Sequence, residues 1–353
     1  MKNIIYLLIL LLTVSCKQRN VNEIKPAVIN TFPVAKELKS TVITVPPIIL
    51  APANMCVSED KLIIIYQKKD TILDLFQLPE CEYLFSGGIR GSGPDDFPPD
   101  FDTRFFQPEK NELEIITGYG LLKRFAIDYK NRRIVNIRDK NRRINTEYLG
   151  YPINGFKILN DTLSFGFSQL IDNNGAEFVM INTKTNQNLP FGTFPNWIDE
   201  MWAKETETKP FLYLKNTITH PSGTKFAAFY GFFKRWRIYD NKTNPIRELW
   251  INIPPYSENI NENIFERMIY YNTYPRATSE YIYAVCKNRI YNDYSATDTE
   301  LQVWDWNGNP VAVFILDNKI DLFAISEKEK KIYALNNNEG HEDKIYVYSI
   351  PDQ

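Results

Sequence analysis

One short pattern returns six times along this chain of 353 residues. An apolar strand runs into a tight polar turn, and a second strand rich in aromatic and β-branched residues leaves it. The pattern reads CVSEDKLIIIY at Cys56, FFQPEKNELEII at Phe105 and ILNDTLSFGF at Ile158. It returns as ITHPSGTKFAAFY at Ile218, RATSEYIYAV at Arg276 and AISEKEKKIYAL at Ala324. Between Glu59, Glu109, Asp161, Ser222, Ser279 and Glu327 the residue numbers differ by 50, 52, 61, 57 and 48. Recurrence at such a period confines a chain to repeat architectures, in which neighbouring units bury each other's apolar faces. Apolar residues alternate or run on over short spans with no helical period, so the units are built of strands. Each turn carries Ser, Asp, Asn, Pro or Gly, which tolerate tight backbone geometry.

A third strand follows each hairpin and usually ends in an Asx-type turn, as in LKRFAIDYKN, EFVMINTKTN, RWRIYDNKTN and LQVWDWNGN. A fourth then follows, as in EYLFSGG, LPFGTF, LWINI and VAVFIL. Six units of four strands predict an all-β chain folded as a six-bladed β-propeller. Aromatic residues make up 14% of the chain, a level suited to sheet-on-sheet packing. The sixth unit stops one strand short, after KIYVYSIPDQ at Gln353. A spare strand, Thr41-Val42-Ile43-Thr44-Val45, precedes the first unit. If it completes the sixth blade, the ring closes and leaves no long exposed edge. The propeller domain is therefore assigned to residues 37–353.

The stretch SGGIRGSGPDDFPPDF, from Ser86 to Phe101, has the glycine rhythm of a nucleotide loop. A phosphate cradle needs a helix N-terminus behind it. Here Asp95 and Asp96 would repel phosphate, and Pro98-Pro99 stop a helix. The stretch is read as the crossover from blade 1 to blade 2. Gly88-Ile89-Arg90-Gly91-Ser92-Gly93-Pro94-Asp95-Asp96-Phe97 resembles the G-x-x-G-x-G-P-x-(D/E)-F crossover of TolB-like six-bladed propellers, of which NHL-repeat propellers share a looser form. His220-Pro221-Ser222-Gly223-Thr224-Lys225 resembles the S-P-D-G-x-K hairpin of the same group, with His and Ser for Ser and Asp. The likeness spans residues 41–353 and is specific to an architecture, not to a chemistry. It implies a cell-envelope propeller.

The first residues are of another kind. Lys2 precedes an apolar run, Ile4 to Leu12, too short to span a bilayer and suited to a signal peptide. Leu12-Thr13-Val14-Ser15-Cys16 resembles a bacterial lipobox, with Leu one place early. The expectation is a signal peptide over 1–15, lipid attachment at Cys16 and a polar tether over 16–36. Lys17 follows the cysteine in place of the aspartate that retains some lipoproteins at the inner membrane. By that resemblance the protein is expected at the outer membrane, a monomer bound to the membrane through its lipid. Cys56, Cys81 and Cys286 lack metal-ligand spacing. A Cys56–Cys81 bridge is open to them, and buried free thiols are the preferred reading.

Chemistry is sparse. There are two histidines, His220 and His341, both near turns, and no G-x-S-x-G or Asp-box turn. Lys and Arg number 41 against 43 Asp and Glu, so no net field recruits nucleic acid. Asp95, Asp96, Asp100 and Asp102 lack calcium-loop spacing and read as a solvated loop. No cofactor or metal is expected. Two long crossovers carry more promise. FPNWIDEMWAKETETKPF can form a helix capped by Asn196, with Trp197, Met201 and Trp202 on one face. PYSENINENIFERMIYYNTYPRAT can form another, capped by Ser257, with Ile260, Ile264 and Met268 in line. Both lie on the face of the Ser86–Phe101 loop, and loops on a rigid scaffold host binding. Arg90, Phe97, Trp197, Trp202 and Arg235 are the candidate binding residues, Arg235 from a second-to-third-strand turn on that face. Two functions follow. One is a non-catalytic envelope module binding a protein partner or glycan. The other is an enzyme on an extracellular glycan or ester, with carboxylates and Arg at the central opening.

Overall fold

The computed structural model describes residues 24–150, 153, 155–168, 176–198, 209–257, 263–293, 295 and 299–351. Apart from one two-stranded pair, its strands group into six sheets, each with four antiparallel strands at its core, as a β-propeller requires. Blade 1 is Pro52–Ser58, Lys61–Tyr66, Thr71–Gln77 and Glu82–Ile89. Blade 2 is Phe101–Glu109, Glu112–Thr117, Leu121–Asp128 and Arg133–Asn136. Blade 3 is Lys157–Ile158, Leu163–Phe167, Ala176–Asn182 and Gln187–Thr193. Blade 4 is Lys215–Thr219, Lys225–Tyr230, Arg235–Asp240 and Pro245–Ile251. Blade 5 is Arg276–Ala277, Tyr281–Cys286, Thr299–Asp305 and Pro310–Leu316. Blade 6 takes Leu322–Ser326, Lys331–Leu335 and Lys344–Ser349 from the end of the chain and Thr41–Thr44 from its beginning. That closing strand pairs antiparallel with the third, Lys344 opposite Thr44 and Val347 opposite Thr41.

The expected Asx turns are present. The Oδ1 of Asp240 accepts from the backbone N–H groups of Lys242 (2.9 Å) and Asn244 (2.8 Å). Asp305 does the same with Asn307 and Asn309, both at 2.8 Å. Large aromatic side chains fill the space between blades. Phe229 stacks on Trp236 at 4.7 Å, and Trp236 meets Trp304 of blade 5 edge-on at 5.2 Å. Full burial of such a ring contributes about 1.5–3 kcal/mol.

The segment read as a tether is, from Ala27 onward, part of the fold. Ala27–Ile29 adds a fifth, parallel strand to the outer edge of blade 4, opposite Leu249 to Ile251. Ala35–Leu38 does the same on blade 5, opposite Val313 to Leu316. Between them Phe32 packs edge-on against Trp304 at 4.9 Å. The chain thus runs as a strap over blades 4 and 5 before completing blade 6, and covers three sheet edges in turn. Cys16 and the rest of residues 1–23 lie outside the described residues.

One local expectation is corrected: Ile264 and Met268 do not share a helix. In the second long crossover, the residues that Ser257 was expected to cap, 258–262, lie outside the described residues. Asn263 caps a single 3-10 turn, Ile264–Glu266, by accepting from the Phe265 N–H at 3.1 Å, and Met268 lies in a short strand. In the first long crossover, residues 199–208 lie outside the described residues, and Lys209–Leu212 forms one helical turn. Cys56, Cys81 and Cys286 are free thiols. Burial pushes Cys56 and Cys81 up to about 12, so neither is a thiolate at neutral pH.

Candidate functional site on the crossover face

In each blade the chain enters the first strand from one face of the disc, so crossovers and second-to-third-strand turns share that face. Among the described residues, the exposed large apolar side chains lie on this crossover face or on outer strands, and none lies in a turn of the opposite face. Ile48 and Leu50 stand in the crossover into blade 1, and Tyr119 in a second-to-third-strand turn of blade 2. Phe211, Leu214, Tyr256 and Phe265 follow in the crossovers on either side of blade 4.

The most developed feature of that face is at blade 4. Its third and fourth strands pair so that Arg235 stands opposite Trp250, and Arg237 opposite Glu248. These two rungs project to the same side of the sheet, toward blade 3, because side chains two apart in a strand share a face. Trp197, on the crossover leaving blade 3, comes down onto them. The Arg235 guanidinium carbon lies 5.2 Å from the Trp197 ring centre and 4.9 Å from that of Trp250, so the cation is held between two indoles. The Arg237 guanidinium carbon lies 5.4 Å from the same Trp197 ring centre. Trp197 donates from Nε1 to Glu248 Oε1 at 2.8 Å, while Glu248 Oε2 accepts from Arg237 Nε at 2.7 Å and Nη2 at 2.6 Å. Arg237 Nη1 also donates to the Thr193 carbonyl at 3.1 Å and ties the crossover to blade 4.

The Trp197–Arg235 stack is the wall between two hollows. One is a cleft of about 390 Å³ between blades 3 and 4, lined by Phe194, Asn196, Glu248 and the start of the strap at Ile24–Pro26. The other is a recess of about 100 Å³ bounded by Phe233, Trp250 and Tyr256. Below the stack, fully buried Glu177 accepts from Tyr230 Oη (2.7 Å) and Tyr239 Oη (3.0 Å) and pairs with Lys215 Nζ (3.0 Å). Burial, with the Glu177 charge, drives both phenols well above their ordinary range, so they remain donors. Glu177, Tyr230, Tyr239 and Lys215 thus hold one another in a closed network beneath the stack.

The sequence candidates divide sharply. Trp197 and Arg235 are brought into contact, and Trp250 and Glu248, missed in the sequence, complete their site. The signal for Trp250 was available: it pairs with Arg235 across the Asp240–Asn244 turn. Phe97 is not a surface anchor. It is fully buried and stacks on Phe125 at 4.2 Å, because it plugs the crossover into the core between blades 1 and 2. Its ring lies 2.7 Å from where a Cβ on Gly88 would stand, so that glycine has to be bare. Asp96 turns its carboxylate inward and accepts from the Gly93 N–H at 2.8 Å, and a Cβ on Gly93 would lie 2.6 Å from it. Arg90 neutralises neither Asp95 nor Asp96. Its Nε and Nη1 reach the carbonyls of Lys69 (3.4 Å) and Pro99 (3.5 Å), far from the Trp197 stack, while Arg138 faces Asp95. Trp202 lies outside the described residues.

No protein-family model matches the chain, and no curated protein does. Among solved structures, it is similar to a member of the DUF4221 family from Bacteroides vulgatus, with a TM-score of 0.61 at 13% identity, over 89% of this chain and 97% of that one. It is also similar to a protein of Bacteroides fragilis described as exported, with a TM-score of 0.55 at 11% identity, over 92% of this chain and all of that one. At such identities the likeness is one of fold: this chain is a six-bladed β-propeller.

Proposed function

We propose that this chain is an exported, lipid-anchored β-propeller that acts as a non-catalytic binding module, holding a protein partner or glycan on its crossover face at the Trp197–Arg235–Trp250 stack. The observation that carries this reading is the confinement, among the described residues, of exposed large apolar side chains to that face and the outer strands, with an Arg held there between two Trp residues. Tryptophan, tyrosine and arginine dominate binding energy at interfaces when they are rigidly presented beside pockets. The lipobox-like run ending at Cys16 supports the anchor, and the exported Bacteroides fragilis protein of the same fold supports an extracytoplasmic place. The TolB-like crossover and hairpin motifs agree with an envelope location.

The test is capture from the source organism's own membranes by the intact lipoprotein, quantified by mass spectrometry, beside a glycan array. Arg235→Ala and Trp197→Ala should weaken capture about tenfold or more while the melting temperature of Arg235→Ala moves by only a few degrees. Capture unchanged in both variants would sink the reading. Mass spectrometry of the mature N-terminus tests the anchor, which a free, unacylated residue at Cys16 would refute.

A further inference from the structure

The first strands of the blades stand side by side around the axis of the disc, the strand of blade 1 against those of blades 6 and 2, and that of blade 5 against those of blades 6 and 4. Near the crossover end of this inner wall three cations arrive from three blades. Arg276 of blade 5 donates from Nε to the Phe323 carbonyl of blade 6 (2.7 Å) and from Nη2 to Asn54 Oδ1 (2.6 Å) and the Met55 carbonyl (2.8 Å) of blade 1. Lys157 of blade 3 donates to the Arg104 carbonyl of blade 2 at 2.8 Å. All of these acceptors are neutral. Arg104 alone meets a carboxylate, from Nε to Asp102 Oδ1 at 2.8 Å, and the other oxygen of Asp102 is buried with no partner.

Stitching of the blades accounts for the carbonyl contacts and not for the charge. A neutral amide could bridge these strands, whereas a desolvated cation without a counter-charge is costly. The cost falls on the lysine: burial pulls Lys157 down to about 8, with Asp102 opposing the shift and Arg276 and Arg104 adding to it. Burial likewise pulls Arg276 down to about 10. Donors are also left over. Among the described residues, Arg276 Nη1, both Nη atoms of Arg104 and two of the three Lys157 protons meet no acceptor.

We infer that the crossover end of the central channel is an oxyanion site, in which Lys157, Arg104 and Arg276 together hold a carboxylate, sulfate or phosphate group. Three converging donors with no more than one carboxylate among them supply the charge that such a group completes, and Arg in particular offers paired N–H groups to its planar edge. This site is separate from the Trp197–Arg235–Trp250 stack and does not depend on it.

Isothermal titration with sodium sulfate, sodium phosphate and sodium glucuronate, each at constant ionic strength set with chloride, tests the inference on the folded, unlipidated domain. Saturable binding is expected for at least one. Tightest binding of glucuronate identifies a sugar acid, and tightest binding of sulfate or phosphate identifies an inorganic ion or its ester. Lys157→Met should weaken binding about tenfold or more, the scale of one lost charge-assisted bond. At pH 8, binding should draw roughly half a proton from the buffer, because an anion raises the Lys157 pKa from about 8. That uptake should vanish in Lys157→Met, and affinity should fall as pH rises through 8. If Lys157→Met does not fold, Arg104→Gln serves, since its side chain bonds only Asp102. No saturable binding of any of the three anions, or wild-type affinity and proton uptake in the variant, would overturn the inference.

Discussion

The two faces of the disc are made from the same strands and end them differently. On the opposite face the chain turns within a blade, and these turns close on themselves. Asp128 there binds Asn131 through both backbone (3.1 Å) and side chain (2.7 Å), and Asp240 and Asp305 hold their own loops in the same way. Each such turn anchors its own backbone, and where it reaches further it meets the matching turn or strand of the next blade, as Arg247 does at the Asn307 carbonyl (2.6 Å) and Glu327 at the Ser279 N–H (3.0 Å). On the crossover face the chain has to leave one blade for the next. Its loops are longer, they borrow partners from adjoining blades, and they carry apolar side chains that no blade covers, such as Phe211, Tyr256 and Phe265. Among the described residues, the turns of the opposite face carry no exposed large apolar side chain. The other face has both reach and unburied surface.

Four measurements can break or sharpen that contrast. The largest effect should come from Phe97→Ala, on a crossover loop yet fully buried, which is expected to cost about 3–5 kcal/mol in chemical denaturation. A loss under 1 kcal/mol would mean that the crossovers are not anchored in the core at all. Glu248→Gln comes next. It removes the charge that pairs with Arg237 at 2.6 Å while keeping an acceptor for Trp197, and should cost about 1–3 kcal/mol with an altered tryptophan fluorescence. Asp96→Ala should cost about 1 kcal/mol, the worth of its bond to the Gly93 N–H. On the opposite face, Lys328→Ala, in the first hairpin of blade 6, should stay within about 0.5 kcal/mol and leave capture untouched.

The opposite-face turns also make a pH prediction. Hydrogen bonds from Lys61 and Gln77 lower Asp60 to about 2, and those from Asn131 lower Asp128 to about 2. Because these folded values are depressed, the stability they supply is present above the unfolded carboxylate range near 4 and is lost as pH falls toward 2. Carboxyl NMR midpoints near 4 for both residues would show that the turns are open in solution.

The propeller was legible in the sequence because its determinants are local. A turn needs its Asx or Gly residue within four positions, and a strand shows its faces by alternation, so blades and even the missing strand of the sixth could be counted. The strap was not legible. Ala-Lys-Glu-Leu over 35–38 buries only Leu38, and a short strand that adds its backbone to an outer edge leaves no pattern in its side chains. The site was half legible. Trp197 and Arg235 could be placed on one face by counting strands, but their contact depends on how blade 3 meets blade 4. Phe97 was misjudged for a related reason: an aromatic residue in a glycine-rich loop looks exposed until the loop is seen to fold over it.

The strap has a consequence for the order in which the molecule can be made. Ala27, Ala35 and Thr41 precede every blade-opening strand, yet their own strands pair with residues 249–251, 313–316 and 344–347. Until those late blades exist the strap therefore has nowhere to go, while blades 1 to 3 can already form from neighbouring hairpins. Pairing that spans about three hundred residues is the slowest kind of contact to establish. Assembly thus runs from the middle outward, and the strap, which precedes every blade, is the last to find its place.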